Sequence, residues 1–154
     1  MKKDRAFKCE LLTPYETVCQ EQTVGVTFRA VDGDMGILAN RAPLVAKMGA
    51  GRVLLERSGG SWPLKFYASG GFAQMHDNTL TILAEDCVPL EKLDPEQAWD
   101  ELQKVRDWPS ETDAQARAKA EAMQTAREKF RLAQEVLRDK RKAMGVEPGR
   151  LRPE

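Results

Sequence analysis

Residues 31–44 read Val-Asp-Gly-Asp-Met-Gly-Ile-Leu-Ala-Asn-Arg-Ala-Pro-Leu, and this stretch decides the fold. Gly33 and Gly36 stand beside short acidic residues, a pattern typical of turns because glycine adopts positive φ at no steric cost. The apolar pair Ile37-Leu38 then favours burial, and Pro43 requires an extended backbone before it. The stretch offers no nucleophile, catalytic base or metal-ligand pattern. It therefore predicts a defined backbone path that presents a surface.

Short apolar runs alternate with turn residues on both sides of this stretch, up to about residue 90. Nine of the 11 glycines lie in residues 1–71. Residues 58–61 and the pair Asp77-Asn78 have the composition of hairpin loops. We predict strands at Phe7–Leu12, Glu16–Cys19, Val24–Arg29, Val45–Met48, Arg52–Glu56, Leu64–Ala68, Phe72–His76 and Thr79–Glu85. Closely spaced short strands of this kind predict an antiparallel β-sandwich or barrel, which we place at residues 1–90.

The remaining residues have the pattern of two helices that form an antiparallel hairpin over residues 91–145. Asp94 can cap the first helix, Pro95 fits its first position, and Gln97 can complete a capping box. The second helix carries a narrow apolar seam formed by Ala116, Met123, Ala126, Phe130, Ala133 and Leu137. So thin a seam predicts a hairpin that docks on the sandwich or on another protein. Residues 146–154 are predicted to be a flexible tail without an assigned role.

Charge and cysteine content argue against several classes of function. The 154 residues hold 24 Lys and Arg against 24 Asp and Glu, so a nucleic-acid partner is not expected. Cys9, Cys19 and Cys87 form no C-x-x-C pair and are predicted to be reduced packing residues, without a metal site. No apolar run approaches the ~18 residues of a membrane span, and no secretory signal is evident.

Three features resemble catalytic or binding sites, and each has a simpler interpretation. His76 has no Ser or Cys in an elbow-like motif and is interpreted as a turn residue, so no catalytic residue is assigned. Gly70 and Gly71 match no phosphate-binding loop and are interpreted as turn or bulge glycines. Basic residues on the second helix form either a solvated face or a strip that meets an acidic partner: Arg127, Arg131, Arg138 and Arg141.

Three segments together resemble the epsilon subunit of F-type ATP synthases. The opening stretch is similar to the family's GE(M/L)GIL-x-NH-x-P segment, with Arg41 where the family usually has His. Residues 69–72 resemble its SGGF segment, and residues 79–85 resemble its V-T-I/V-L-A-D/E strand. The three segments occur in the family's order and spacing, and the resemblance covers roughly residues 5–144.

The resemblance implies a non-catalytic rotor subunit, associated with the cytoplasmic face of the inner membrane through the complex. Its sandwich would bind the gamma subunit and the c-ring, and its helices would contact the alpha and beta subunits and regulate ATP hydrolysis. The segment expected to shape the partner-facing region comprises Asp34, Met35, Gly36, Ile37, Leu38, Asn40 and Pro43. Two other functions stay open, a stand-alone β-sandwich interaction module with a helical oligomerisation tail and a hydrolase that uses His76.

Some members of that family bind ATP through an (I/L)-D-x-x-R-A motif on the first helix. Here Asp94 matches the motif, but Gln97 replaces its arginine. A neutral amide cannot replace the charge-assisted phosphate contact of a guanidinium, so no cofactor is expected.

Overall fold

The computed structural model describes residues 5–145, and residues 146–154, predicted as a tail, lie outside them. Nine strands come first, followed by a 3-10 turn at Leu90–Lys92 and two helices. The strands are β1 Phe7–Leu12, β2 Thr17–Thr23, β3 Gly25–Ala30, β4 Gly33–Ile37, β5 Leu44–Glu56, β6 Leu64–Ala68, β7 Gly71–His76, β8 Thr79–Ala84 and β9 Cys87–Pro89. The helices are α1 Pro95–Arg106 and α2 Asp113–Ala143. The predicted fold class, a β-sandwich followed by a helical hairpin, is confirmed.

The long strand β5 joins the two layers of the sandwich. Its first part, Leu44–Met48, pairs with β7 in a first sheet of order β2-β1-β8-β7-β5. Its second part, Gly51–Glu56, lies between β3 and β6 in a second sheet that also holds β4 and β9. The pair β1 and β8 is parallel, whereas the other strand pairs are antiparallel. Buried side chains from both sheets, such as Phe7, Phe28 and Ile82, fill the space between them.

Two predictions about the strands are wrong. The opening stretch contains strand β4, because its side chains alternate between two faces. Met35 and Ile37 face the core, whereas Asp34 and Gly36 face outward. Residues 45–56 form one strand, not two, because β5 passes from pairing with β7, up to Met48, to pairing with β6 from Gly51. The Arg29 side chain lies close to Gly49 and Gly51 at this point. A Cβ on Gly51 would lie 2.9 Å from the Cβ of Arg29.

The turn between β7 and β8 has the conformation that its sequence predicts. Asp77 and Asn78 have φ values of 48° and 55° and connect β7 to β8 as a two-residue hairpin, as predicted. Asn78 also ties the neighbouring segments together: its Oδ1 accepts a 2.8 Å hydrogen bond from Asn40 N, and its Nδ2 donates to Ala6 O. The end of the opening stretch is therefore fixed to the β7–β8 turn.

Helix α1 is capped by Asp94, whose side chain accepts a 3.0 Å bond from Glu96 N. The capping box predicted with Gln97 is not part of this cap, and a full capping box forms instead at α2 between Thr112 and Gln115. The helices are antiparallel, with the rings of Trp99 and Phe130 5.2 Å apart.

A second apolar cluster lies between the helices and the outer face of the second sheet. Tyr67 of β6 packs there against Leu90, Leu93, Ala98, Leu132 and Ala133. Leu132 is 1% exposed although it was absent from the predicted seam, because α2 has one face toward α1 and an adjoining face toward the sandwich. Ala116 of the predicted seam is exposed, since α2 extends beyond the end of α1.

Candidate functional site

The outer faces of the two sheets have different surroundings. The hairpin packs on the second sheet, whereas the outer face of the first sheet carries exposed apolar side chains. Phe72 of β7 lies directly opposite Leu83 of β8, and Leu83 lies opposite Leu12 of β1. Phe72 and Leu83 are 55% and 47% exposed, and Val45 on β5 is 70% exposed. We call Leu12, Val45, Phe72 and Leu83 the apolar face.

The residues singled out in the opening stretch divide between the core and the surface. Ile37 is buried and Met35 packs against the core, so both shape the backbone from inside. Asp34, Leu38 and Pro43 are exposed. Asn40 is also exposed and adopts φ 60°, a conformation that asparagine tolerates better than most residues.

Gly36 lies in the middle of edge strand β4 with no positive φ and open space around the position of a Cβ. Of the two glycines expected in turns, Gly33 has φ 128°, whereas the expectation for Gly36 is wrong because it lies inside a strand. Glycine weakens a strand interior, and it often marks a place where another backbone approaches closely. Gly36 is therefore a surface residue, and the local backbone conformation does not require a glycine at this position.

Gly70 and Gly71 are required by packing inside the sandwich. Gly70 has φ 114°, and a Cβ on it would lie 3.3 Å from Met48 O. Gly71 has φ 133° and lies between Met48 of β5 and Ala84 of β8. These two glycines open β7, which agrees with their interpretation as structural residues.

The arginines of the second helix are not equivalent. Arg131 donates to Glu128 at 2.6 Å and 3.0 Å and also contacts Glu135, so its charge is already paired. Its hydrogen bonds hold the pKa of the Glu128 carboxyl below its ordinary value. Arg127 and Arg138 are exposed, and Arg141 is half-buried. The predicted strip therefore has Arg127 and Arg138 as its open positions.

A cleft of about 410 Å³ separates α2 from the second sheet. Arg29, Arg52 and Arg131 line it together with the carboxylates of Asp34, Glu128 and Glu135. Arg52 pairs with Glu135, which leaves this cleft balanced in charge. Such a lining does not favour an anionic ligand, because its three arginines are matched by three carboxylates and the guanidinium groups of Arg52 and Arg131 are already paired.

A second cleft, of about 260 Å³, is lined in part by Leu93, Asp94, Gln97 and Ala98, the residues of the segment compared above with the ATP motif. Its charged and polar lining comprises Asp86, Lys92, Asp94, Gln97, Glu101 and Lys129. Lys129 is already paired with Asp86 and Glu101. A triphosphate entering this cleft would meet three carboxylates.

We expect ATP to bind this protein weakly or not at all, since Gln97 supplies no positive charge and the cleft carries excess negative charge. Isothermal titration of the full chain with Mg-ATP tests this, with Gln97→Arg as the matched variant. A micromolar affinity of the unaltered chain would contradict the prediction. A gain of affinity in the variant alone would identify the missing guanidinium as the cause.

The remaining candidates occupy ordinary structural positions. His76 is 62% exposed at its side chain, and its Nδ1 lies 3.0 Å from the Asp77 carboxylate. Burial raises the pKa of both the Cys9 and the Cys87 thiol to about 12, so the reactive thiolate form is disfavoured and both residues fit a packing role.

Within residues 5–145, no three His, Cys, Asp or Glu side chains form a group able to hold a metal ion. In the same part of the chain, no helix is both long and apolar enough to cross a membrane.

Comparison with known proteins gives a consistent result. The family model for the β-sandwich domain of the ATP synthase delta/epsilon chain matches residues 6–90, more than half of the chain. The chain belongs to the ATP synthase delta/epsilon chain family. It is 31% identical to the ATP synthase epsilon chain of Rhodopirellula baltica, over 82% of this chain and 97% of that one. It is 27% identical to the sodium-ion-specific epsilon chain of Propionigenium modestum, over 85% and 96% of the two chains.

Solved structures extend the likeness to the three-dimensional fold. A chain in the mitochondrial ATP synthase of Euglena gracilis, determined as OSCP/F1/c-ring, superposes with a TM-score of 0.66 at 27% identity. That match covers 86% of this chain and 82% of the other. A chain in the central stalk/c-ring structure of the Tetrahymena thermophila enzyme also reaches 0.66, but at 17% identity it bears on the fold alone. The resemblance stated from the three sequence segments is thus confirmed for this delta/epsilon chain.

Proposed function

We propose that this protein is a non-catalytic subunit of the central stalk of an F-type ATP synthase. In this proposal the sandwich, residues 1–90, binds the gamma subunit and the c-ring, and it helps to couple ion translocation to ATP synthesis. The protein is then a peripheral component on the cytoplasmic face of the inner membrane. Family membership and the likeness to a chain of an assembled ATP synthase support this function.

The single observation that carries the proposal is the apolar face. Three of its side chains are about half to more than two-thirds exposed, although they lie side by side on a well-formed sheet. Contiguous exposed apolar patches on soluble proteins commonly mark contacts with other proteins. A subunit held on a rotor shaft needs such a surface, and the hairpin leaves this sheet uncovered.

Co-purification provides the direct test of complex membership. A tagged full-length chain, expressed in its source cell, is expected to bring down the alpha, beta and gamma subunits together with the c-ring. A stand-alone interaction module would instead return copies of itself. Recovery of a self-associated chain without any of those subunits would overturn the proposal.

We propose a regulatory role for the helical hairpin, residues 91–145, in which α2 contacts acidic parts of the alpha and beta subunits. The open positions Arg127 and Arg138 support this role because their charges are available to a partner. Each rim contact of this kind contributes up to about 1 kcal/mol. The two together can therefore change inhibition measurably without being needed for folding.

We expect the double variant Arg127→Gln/Arg138→Gln to inhibit ATP hydrolysis by the assembled complex about fivefold less strongly than the unaltered chain. The reason is the loss of two attractive contacts to an acidic surface. Steady-state hydrolysis by the complex, titrated with each chain, measures the effect. Lys104→Gln, which removes an exposed charge from α1, serves as the control, and equal inhibition by all three chains would argue against the proposed contact.

A further inference from the structure

Lys129 occupies a position that joins three elements of the molecule. Its ammonium lies 3.2 Å from Asp86 Oδ2 and 2.9 Å from Glu101 Oε2. The same group lies 5.5 Å from the centre of the Tyr67 ring, within the range of a cation–π contact. Its side chain is only 16% exposed. One charge on α2 thus contacts the β8–β9 loop, helix α1 and strand β6.

The sandwich end of this contact is held firmly in place. Asp86 N donates a 2.9 Å hydrogen bond to Ser69 Oγ, and Ser69 N donates a 2.9 Å bond to Asp86 O. Ser69 immediately precedes Gly70 and Gly71, whose backbone is fixed between β5 and β8. The backbone of Asp86 in the β8–β9 loop is therefore held by Ser69, which lies just before β7.

The other end of the contact belongs to helix packing. Glu101 lies on α1 close to the Trp99–Phe130 aromatic pair and one turn beyond buried Ala98. Loss of the ammonium would remove the cation that both Glu101 and Asp86 contact, and would leave Lys92 as the remaining cation in the lining of the cleft. The repulsion between the two carboxylates would then act between α1 and the sandwich, while α2 lost its ion pairs with both.

Other polar contacts of the hairpin each join two elements only. Arg52 of β5 pairs with Glu135 of α2, and Lys140 of α2 donates to Glu91 O in the 3-10 turn at 2.7 Å. The carboxylates of the Arg52 and Lys129 contacts are all about a third or more exposed, but the Arg52 side chain is 39% exposed whereas that of Lys129 is 16% exposed, so solvent weakens the Arg52 pair more. Lys129 differs from them in its burial and in its three partners.

We infer that Lys129 is the latch of the hairpin, coupling the α1–α2 contact and the docking of both helices on the sandwich into one cooperative unit. All three charged groups of this contact belong to the chain itself, so in this inference closure requires no bound ligand. The inference rests on the proposed regulatory hairpin, but it concerns closure in the isolated chain. Its failure is therefore distinguishable from a failure of inhibition in the complex.

Burial alone would lower the pKa of Lys129, but its hydrogen bonds to Glu101 and Asp86 and the charges of both raise it above the ordinary value. The latch therefore stays charged across the physiological range. Its contribution is present below the ordinary lysine pKa and disappears only as the pH rises through the higher folded-state pKa.

Hydrogen–deuterium exchange of the full chain tests the latch. In Lys129→Met we expect amide exchange to rise by about 10- to 100-fold in both α1 and α2, to the same extent, because both helices open together. Exchange in β1 and β8 is expected to stay unchanged. Lys104→Met, a matched change on the exposed surface of α1, should leave all of these rates unaltered.

Two further variants separate a latch from a merely local contact. Lys129→Arg keeps the charge and is expected to keep both helices protected, whereas Glu101→Gln should give an increase smaller than that of Lys129→Met. Addition of Mg-ATP to the unaltered chain should not change its exchange. Faster exchange confined to α2, or equal protection in Lys129→Met and Lys129→Arg, would overturn the inference, as would strong protection by Mg-ATP.

Discussion

Gly71→Ala is expected to destabilise the sandwich by about 4 kcal/mol, a large fraction of the stability of a domain of this size. The backbone of Gly71 has φ 133°, where side chains are strained, and a Cβ would lie 1.9 Å from Leu83 O. That oxygen belongs to the neighbouring strand β8, so the clash cannot be relieved by rotating a side chain. Strands β7 and β8 would have to separate at the point where β7 begins.

Variants at two other glycines separate the cost of the positive φ from the cost of the clash with Leu83. Gly59 also has a positive φ, of 74°, but open space surrounds the position of its Cβ, so Gly59→Ala should cost only about 1 kcal/mol. Gly36 has neither a positive φ nor a close neighbour, and Gly36→Ala should be neutral or stabilising by about 0.5 kcal/mol. Urea denaturation followed by circular dichroism gives the three midpoints. Similar midpoints for all three variants would show that the contact with Leu83 is not decisive.

The sequence predicted most of the sandwich because its strands are bounded by short-range signals. The Asp77-Asn78 turn and the cap at Asp94 each act within a few residues, and both are present in the structure. Strand β4 was missed because two glycines obscure the alternation of Met35 and Ile37. The pattern was visible in principle, but the turn-forming character of glycine outweighed it.

The apolar face and the Lys129 contact both depend on residues that are distant in sequence, which local patterns do not bring together. Phe72, Leu83 and Leu12 come from three strands, and only the register of β1, β7 and β8 aligns them. Lys129 meets Glu101 and Asp86 across 28 and 43 residues of sequence. Charge patterning on α2 indicated a basic strip, yet the structure leaves Arg131 paired within the helix, because carboxylates three and four residues away are its nearest partners.

Phe72→Glu is expected to weaken binding to the gamma subunit at least about 100-fold, because the proposed contact would bury a carboxylate in place of an aromatic ring. Phe72 is central to the apolar face, with Leu83 on one side and Lys47 directly opposite on the other. The new carboxylate would face the Lys47 ammonium on the free protein, so we expect its stability to change little. Binding of purified gamma subunit to the full chain, measured by titration calorimetry, gives the affinity.

The control must be an exposed aromatic residue outside the apolar face. Trp62, in the β5–β6 loop, is 86% exposed, more than Phe72 itself, so Trp62→Glu removes a larger exposed apolar group elsewhere. We expect Trp62→Glu to bind gamma as the unaltered chain does, since exposure by itself does not make a contact. Equal affinities of Phe72→Glu and the unaltered chain would move the interface away from the first sheet. A loss of affinity in Trp62→Glu alone would instead place the interface with gamma at the loop end of the sandwich, where Asn40 and Asn78 meet.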